Sequence, residues 1–262
     1  MQNNSSSNNT DSKTSFGYHD GEVETVISVD DVNRQAQQLA ETISLEKISG
    51  LVEGDPFLKI EDLNAGYGKM EILHEFNLQV GKGQSLCMIG PNGAGKSTVL
   101  HSIFGFTRIF SGQILSQIGD TQKSITQMSS SQKLKEAGIS YILQDNSVFP
   151  DMTVEENLMM GAYLNENTDE VRISIERIFE KYDRLKVRRS KPARVLSGGE
   201  RRLLEISRAL VMEPNILLVD EPSIGLEPRF IDMVFEILDD LQRNEGKTIL
   251  MVEQNAKKGL EF

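Results

Sequence analysis

The run Gly90-Pro91-Asn92-Gly93-Ala94-Gly95-Lys96-Ser97-Thr98 constrains this chain more than any other, because it fits G-x-x-x-x-G-K-[ST] at every position. Three glycines and a small alanine let the backbone curl until successive N–H groups point inward, and such a ring of amide dipoles suits a chain of phosphates. Lys96 is placed to reach the outer phosphates as a point charge, and the Ser97 hydroxyl to sit on Mg²⁺. The flanks agree. Gln84-Ser85-Leu86-Cys87-Met88-Ile89 has the length and apolarity of a buried strand, and Thr98 to Phe104 holds no helix breaker before Gly105. Strand, glycine loop and helix follow one another, and the helix N-terminus adds the positive end of its dipole to the anion site.

With 262 residues, 38% of them hydrophobic, the chain can bury one substantial core and a smaller appended subdomain. No apolar run approaches the roughly 20 residues that cross a bilayer, and the N-terminus lacks the basic start and apolar core of a signal peptide. The expected place is the cytoplasm, or the inner face of a membrane through a partner. The single cysteine, Cys87, lies in the expected buried strand and reads as core packing, which excludes an internal disulfide. His19, His74 and His101 lack metal-ligand spacing and read as surface or packing residues. A net charge of −11 argues against a nucleic-acid surface. That acidity is uneven: residues 1–55 carry ten Asp/Glu against three Lys/Arg, and the remainder is close to balanced.

Residues 1–20 form a polar, Asn- and Ser-rich stretch that predicts disorder. Beyond Asp30 and Asp31, Val32, Ala36, Leu39 and Ile43 make one apolar stripe, so residues 1–55 read as an acidic, largely disordered extension with either a short helix or a loosely held tail. Pro56 opens the folded domain, 56–262. Phe57 to Leu63 and Glu71 to Val80 alternate around a turn at Asn64-Ala65-Gly66-Tyr67-Gly68, which predicts a small antiparallel β-subdomain feeding a parallel core. Gly112-Gln113-Ile114 and Ile139 to Leu143 read as strands, with a polar Ser/Gln-rich stretch between them near 116–133. Helix formers dominate 153–185, which places a helical subdomain at about 150–200. A helix over 200–212, a strand over 215–219, a helix over 229–244 and a strand over 248–252 follow. Strands that are apolar throughout, alternating with helices, describe an α/β fold whose parallel sheet is covered on both faces.

Ile216-Leu217-Leu218-Val219-Asp220-Glu221 supplies a second half to the site. Carboxylates at the C-terminal end of a buried parallel strand face the sheet edge where the cradle lies, so Asp220 is expected to support Mg²⁺ and Glu221 to polarise an attacking water. Two adjacent acids alone would be a solvated turn; the complete cradle upstream favours the functional reading.

Leu196-Ser197-Gly198-Gly199-Glu200 reads in isolation as a helix cap, and equally as a second anion site built from a serine and two backbone amides. Its order, after the cradle and about 20 residues before the acidic strand, resembles the signature motif of ATP-binding cassette (ABC) ATPases. The resemblance covers roughly residues 57–262 and implies a P-loop NTPase fold with an ABC-type core, ATP and Mg²⁺ as cofactors, and ATP hydrolysis as the activity. Through it Tyr67 matches the aromatic that stacks on adenine, although a turn tyrosine could also be packing. Gln144 matches the glutamine that touches Mg²⁺ and reports nucleotide state, and Ser223-Ile224-Gly225-Leu226-Glu227-Pro228 matches the loop after the catalytic acid. In the family the signature motif of one subunit completes the cradle of another, so Ser197, Gly198 and Gly199 are expected to act in trans. Gly66-Tyr67-Gly68, Ile72-Leu73-His74, Glu221-Pro222-Ser223 and Val252-Glu253-Gln254-Asn255-Ala256 look like one of the two ATPase subunits of branched-chain amino acid importers, or of urea and amide importers. The implied partners are a second ATPase subunit, transmembrane permease subunits and, indirectly, a periplasmic or extracellular binding protein. A permease is expected to dock near Gln144 and the helical subdomain.

Three departures stand out. Gln254 occupies the position where most relatives carry a switch histidine, and glutamine cannot become cationic near neutral pH. The importer subunits it resembles also carry glutamine there, beside a partner with histidine, which implies a heterodimer with unequal sites. Glu200 replaces the commoner glutamine, placing negative charge near a phosphate site, and Glu227 replaces the commoner aspartate. The chain ends at Phe262, sooner after the switch position than relatives do, as a fragment or a short form with an exposed sheet edge would. Two rival functions remain: a catalytically silent regulatory ABC module, and a soluble ABC ATPase acting on nucleic acid or ribosomes. The single cassette and acidic balance speak against the second rival.

Overall fold

Two sheets of opposite character divide the chain between them. The computed structural model describes residues 52, 55–144 and 147–262. The polar stretch at 1–20 and the helix expected beyond Asp30 lie outside the described residues.

The first sheet is antiparallel, with β1 (Leu58–Tyr67), β2 (Met70–Val80), β4 (Arg108–Ile118) and β5 (Thr121–Ser124) in the order β2-β1-β4-β5. β1 is longer than expected. It runs through Asn64 to Tyr67, and only Gly68 and Lys69 turn the chain. The surplus residues are absorbed by register shifts between Ile60 and Leu63 and between Leu63 and Ala65. Asp62 sits there at φ 45. Its N–H donates to Asn77 Oδ1 at 3.0 Å, and Asn64 Oδ1 accepts from Glu75 N–H at 3.0 Å, so asparagine side chains take bonds the ladder loses.

The second sheet is parallel: β3 (Ser85–Ile89), β6 (Ile139–Ile142), β7 (Ile216–Asp220) and β8 (Thr248–Glu253), ordered β3-β8-β7-β6. Along β7 the residues alternate between two cores. Ile216 and Leu218 join the cluster shared with the antiparallel sheet, while Leu217 and Val219 join the one on the opposite face. Period-two alternation of entirely apolar residues is what a sheet covered on both faces requires. β3 departs from that expectation. As an outer strand bonded to β8 alone, it leaves Leu86, Cys87 and Met88 only half-buried. Cys87 still serves packing, and burial, followed by the nearby Glu253 charge, pushes its thiol up to about 12.

Helix α1 (Lys96–Phe104) packs Val99, Leu100 and Ile103 into the core between the sheets, and α2 (Ser130–Lys135) follows the antiparallel sheet. Three helices form a group with its own core: α3 (Val154–Gly161), α4 (Thr168–Lys181) and α5 (Asp183–Val187). Helix α6 (Gly198–Leu210) bridges the two parts, because Leu203 and Leu204 belong to that helical core and Ile206 to the sheet core. Helix α7 (Pro228–Arg243) covers the far face of the parallel sheet through Val234, Leu238 and Leu241. Helix α8 (Ala256–Glu261) closes the described chain against β3.

Candidate functional site

The cradle forms where β3 leaves the sheet and α1 begins. Gly93 and Gly95 adopt φ 82 and 86, a left-handed backbone that admits glycine at little cost. Gly95 is the N-cap of α1 and, having no side chain, offers no capping bond, so the first N–H groups of the helix stay open to an anion. Lys96 folds back over the loop and donates to Gly90 O at 2.8 Å and Pro91 O at 3.0 Å.

At the end of β7, Asp220 and Glu221 are 4% and 6% exposed. Ser97 Oγ donates to Asp220 Oδ1 at 3.0 Å, which ties the cradle to the sheet edge. The other carboxylate oxygen accepts from the Tyr141 hydroxyl at 2.7 Å. Burial, then the Asp220 charge, drives the Tyr141 phenol far above its ordinary value, so it remains a donor. Glu221 holds φ 42, a left-handed conformation costly for a residue with a β-carbon, and its N–H donates to Val252 O at 3.0 Å. Its Oε2 accepts from Gln144 Nε2 at 3.1 Å. A cleft of about 360 Å³ brings Gly93, Lys96, Ser97, Gln144, Glu221 and Gln254 together from four separate stretches.

Three groups of this site escape a reading by motif. His101 lies one helical turn after Ser97, its Nε2 3.9 Å from Asp220 Oδ2, and its Nδ1 bonds the Tyr67 hydroxyl. Burial lowers its pKa against the opposing pull of Asp220. The i,i+4 spacing from Ser97 was the available signal. Tyr141 faces its carboxylate only because β6 pairs with β7. Glu253, buried at the end of β8, accepts from Ser223 Oγ at 2.7 Å and from the N–H groups of Gln254 and Asn255, both at 2.9 Å. It therefore shapes the turn that presents Gln254.

Tyr67, 41% exposed and fixed at its hydroxyl by His101, does not line the cleft, and neither do Ser197, Gly198 and Gly199. Ser197 instead caps α6. Its Oγ accepts from Glu200 N–H at 3.3 Å while Glu200 Oε2 accepts from Ser197 N–H at 2.9 Å, a reciprocal capping box. The Ser197 amide holds the Glu200 carboxyl below its ordinary range, with Arg188 Nε 3.6 Å away. Within its own chain the Glu200 carboxylate bonds the first turn of α6. A β-carbon on Gly199 would sit 2.1 Å from Phe230 Cδ1, whereas one on Gly198 would meet nothing within 4 Å.

An amide-lined loop, an ammonium group, a hydroxyl held to a carboxylate, and a second carboxylate beside an amide can bind a phosphate chain and orient a water against it. The family model described as "ABC transporter" matches residues 73–224. The chain is 38% identical to the high-affinity branched-chain amino acid transport ATP-binding protein BraG of Pseudomonas aeruginosa, over 78% of this chain and 85% of that one. It is also 38% identical to a probable branched-chain amino acid transport ATP-binding protein, LivF, of Archaeoglobus fulgidus, over 78% and 84%. Among solved structures it matches the ADP conformation of an ATP-binding cassette of an ABC transporter, with TM-score 0.69 and 28% identity over 79% of this chain and 85% of that one.

Proposed function

The chain belongs to the ABC transporter family of ATP-binding proteins, and on that premise we propose that it is the ATP-hydrolysing subunit of an importer for branched-chain amino acids or a related small solute. The observation that carries the reading is the convergence of the cradle, Gln144 and Glu221 on one cleft, with Ser97 and Asp220 hydrogen-bonded at its base. The names of the BraG and LivF relatives support the choice of solute.

The loop amides and Lys96 hold the outer phosphates once Lys96 releases Gly90 O and Pro91 O. Glu221, kept in place by its strained backbone and by Gln144, accepts a hydrogen bond from the attacking water and orients it toward the terminal phosphorus. The oxygens of Ser97, Asp220 and Gln144 are hard donors. Among the described residues no group of three or more His, Cys, Asp or Glu gathers for a metal, so a cation here has few protein ligands, as suits Mg²⁺ that arrives on phosphates. When bound, Mg²⁺ supplies charge that neutralises phosphate oxygens.

Ser197 and Gly198, away from the cleft, serve the cradle of a second ATPase subunit, and nucleotide-driven closure of that dimer powers a permease. Gln254, which can donate a hydrogen bond to a phosphate but cannot become cationic, makes this chain's own cradle the weaker of two in a heterodimer. No described helix is long and apolar enough to cross a membrane, and we place the protein on the inner membrane face through its permease. Exposed Leu143, Phe149, Met159 and Tyr163, next to Gln144 or on the helical group, support docking there. A separate binding protein would deliver the solute.

Changing Glu221 to Gln is expected to leave ATP binding intact and to lower turnover by about 100-fold or more, the usual contribution of a positioned base. Undiminished hydrolysis would remove Glu221 from the role. An unchanged parent that binds ATP and never hydrolyses it, even with a partner subunit present, would favour a silent regulatory module.

A further inference from the structure

Helix α6 does more than present Ser197 at its first turn. Two turns further in it carries Arg202 and Glu205, 4% and 6% exposed, paired at 2.8 Å. Both reach out of the helix to residues that flank Gln144 in the chain. Arg202 Nη1 donates to Leu143 O at 2.8 Å, on the residue before Gln144, and Glu205 Oε1 accepts from Ser147 N–H at 3.2 Å. Arg208, one turn later, donates to Ser147 O. Leu143 and Ser147 lie on either side of Gln144, so one helix fastens the chain both before and after the side chain that bonds Glu221.

The pair is an expensive way to fill space. Arg202 Nε and Nη2 are buried with no hydrogen-bond partner among the described residues, so three of its five N–H donors meet no protein acceptor there. A buried ion pair of this kind commonly returns less than its desolvation costs, and apolar residues of similar volume serve stability as well or better. Its use must then lie in what it holds.

We propose that Arg202 and Glu205 are positioning residues for hydrolysis, which hold Leu143 and Ser147 against α6 so that Gln144 meets Glu221 and moves only when the helix bearing Ser197 moves. The proposal rests on the roles given above to Gln144 and Glu221. It makes α6 a rigid link between the turn offered to a partner subunit and the glutamine of this chain's own site.

The decisive variant is the double replacement Arg202→Met with Glu205→Leu in the full chain, compared with the unaltered protein and with Glu205→Gln. Glutamine at 205 keeps an acceptor for Ser147 N–H and for Arg202. Three quantities are read: Tm, affinity for a fluorescent ATP analogue together with kcat for ATP, and amide hydrogen exchange of the peptide that contains Ser147. The double variant is expected to melt at or above the parent's Tm and to bind nucleotide within about twofold. Its kcat should fall by on the order of tenfold, as a misplaced catalytic neighbour would cause, and Ser147 should exchange faster. Glu205→Gln should keep both kcat and protection near the parent's.

A double variant with the parent's kcat and the parent's exchange overturns the proposal. So does one that melts well below the parent, because the pair would then be a support of the fold. If the unaltered protein binds ATP but hydrolyses none, the functional reading fails, and exchange at Ser147 still decides whether the pair holds Ser147 against α6.

Discussion

The chain opens two helices beside glycines, α1 after Gly95 and α6 with Gly198 and Gly199 after Ser197, and the two N-termini are built on opposite terms. The α1 end has no side-chain cap, so its leading amides wait for an anion. The α6 end satisfies itself, Ser197 and Glu200 each taking the other's backbone N–H. Their glycines differ as well. Gly93 and Gly95 are required by a left-handed backbone, and Gly199 by the ring of Phe230 pressed against it. An uncapped end is unfinished without a ligand. A capped end is finished, and a β-carbon placed on its Gly198 would meet nothing within 4 Å, which is the open surface the proposed reading gives to a partner subunit.

The contrast breaks most visibly at the two signature glycines. Gly199→Ala forces a β-carbon into Phe230 Cδ1, 2.1 Å away, and overpacking of that kind costs about 1–3 kcal/mol. A fall in Tm of roughly 2–4 °C per kcal/mol is expected for a domain of this size. Gly198→Ala meets open space, so its Tm should stay with the parent's while ATP turnover falls when a partner subunit is present. Equal Tm losses for the two variants would mean that both glycines are packing residues and that the α6 end offers nothing.

The local part of this contrast was legible in the sequence and the tertiary part was not. The strand, loop and helix around Gly90 to Ser97 appear where expected because an apolar run, a glycine loop and the stop at Gly105 are all local signals. β4 reaches from Arg108 to Ile118 instead of spanning Gly112 to Ile114, since Gly112, pressed within 2.4 Å of Asp62 O at its β-carbon position, interrupts the alternation that would have revealed it. β5 hid in the polar stretch because all four of its residues are exposed on an edge. Asp220, Glu221 and Ser97 could be named from motifs, but Tyr141 and His101 meet Asp220 only through strand order and helix packing. The capping role of Glu200 could be read from Ser-x-x-Glu, yet the commoner glutamine drew attention to its charge instead of its position.

The two helices differ at their far ends too, and there a pH measurement sharpens the comparison. α1 ends at Gly105 beside Lys133, whose buried amine donates to Ser102 O at 3.4 Å. α6 ends with Arg208 satisfied by Ser147 O. Burial pushes Lys133 down to about 8 from an ordinary 10.5. Between those values the unfolded chain binds the extra proton and the folded one does not, so stability rises with pH. From pH 7 to pH 9 the gain attributable to Lys133 is about 1 kcal/mol. Denaturant midpoints over that range should climb more steeply in the parent than in Lys133→Met, and parallel profiles would show that the amine is charged and solvated in the fold.

The smallest effect tests whether the capped end is indifferent to its own charge. Glu200→Gln keeps an oxygen that can accept from Ser197 N–H, so the box survives and only the carboxylate charge beside the α6 dipole and Arg188 is lost. Such a charge is worth about 0.3–1 kcal/mol at a helix N-terminus. Because the Ser197 amide lowers the carboxyl's pKa in the folded state, its contribution is present above the unfolded value and is lost as pH falls through the folded one. Parent and variant should therefore differ slightly in Tm at pH 7 and converge in acid. Glu200→Ala removes the box and should cost about 1 kcal/mol. If the carboxylate faces a partner's phosphates, Glu200→Gln will instead raise the dimer's ATP affinity at pH 7, and the charge will have been an obstacle across the interface. If it serves only its own turn, ATP affinity will not move while Tm does, and the α6 end will have proved self-contained in the sense that the α1 end is not.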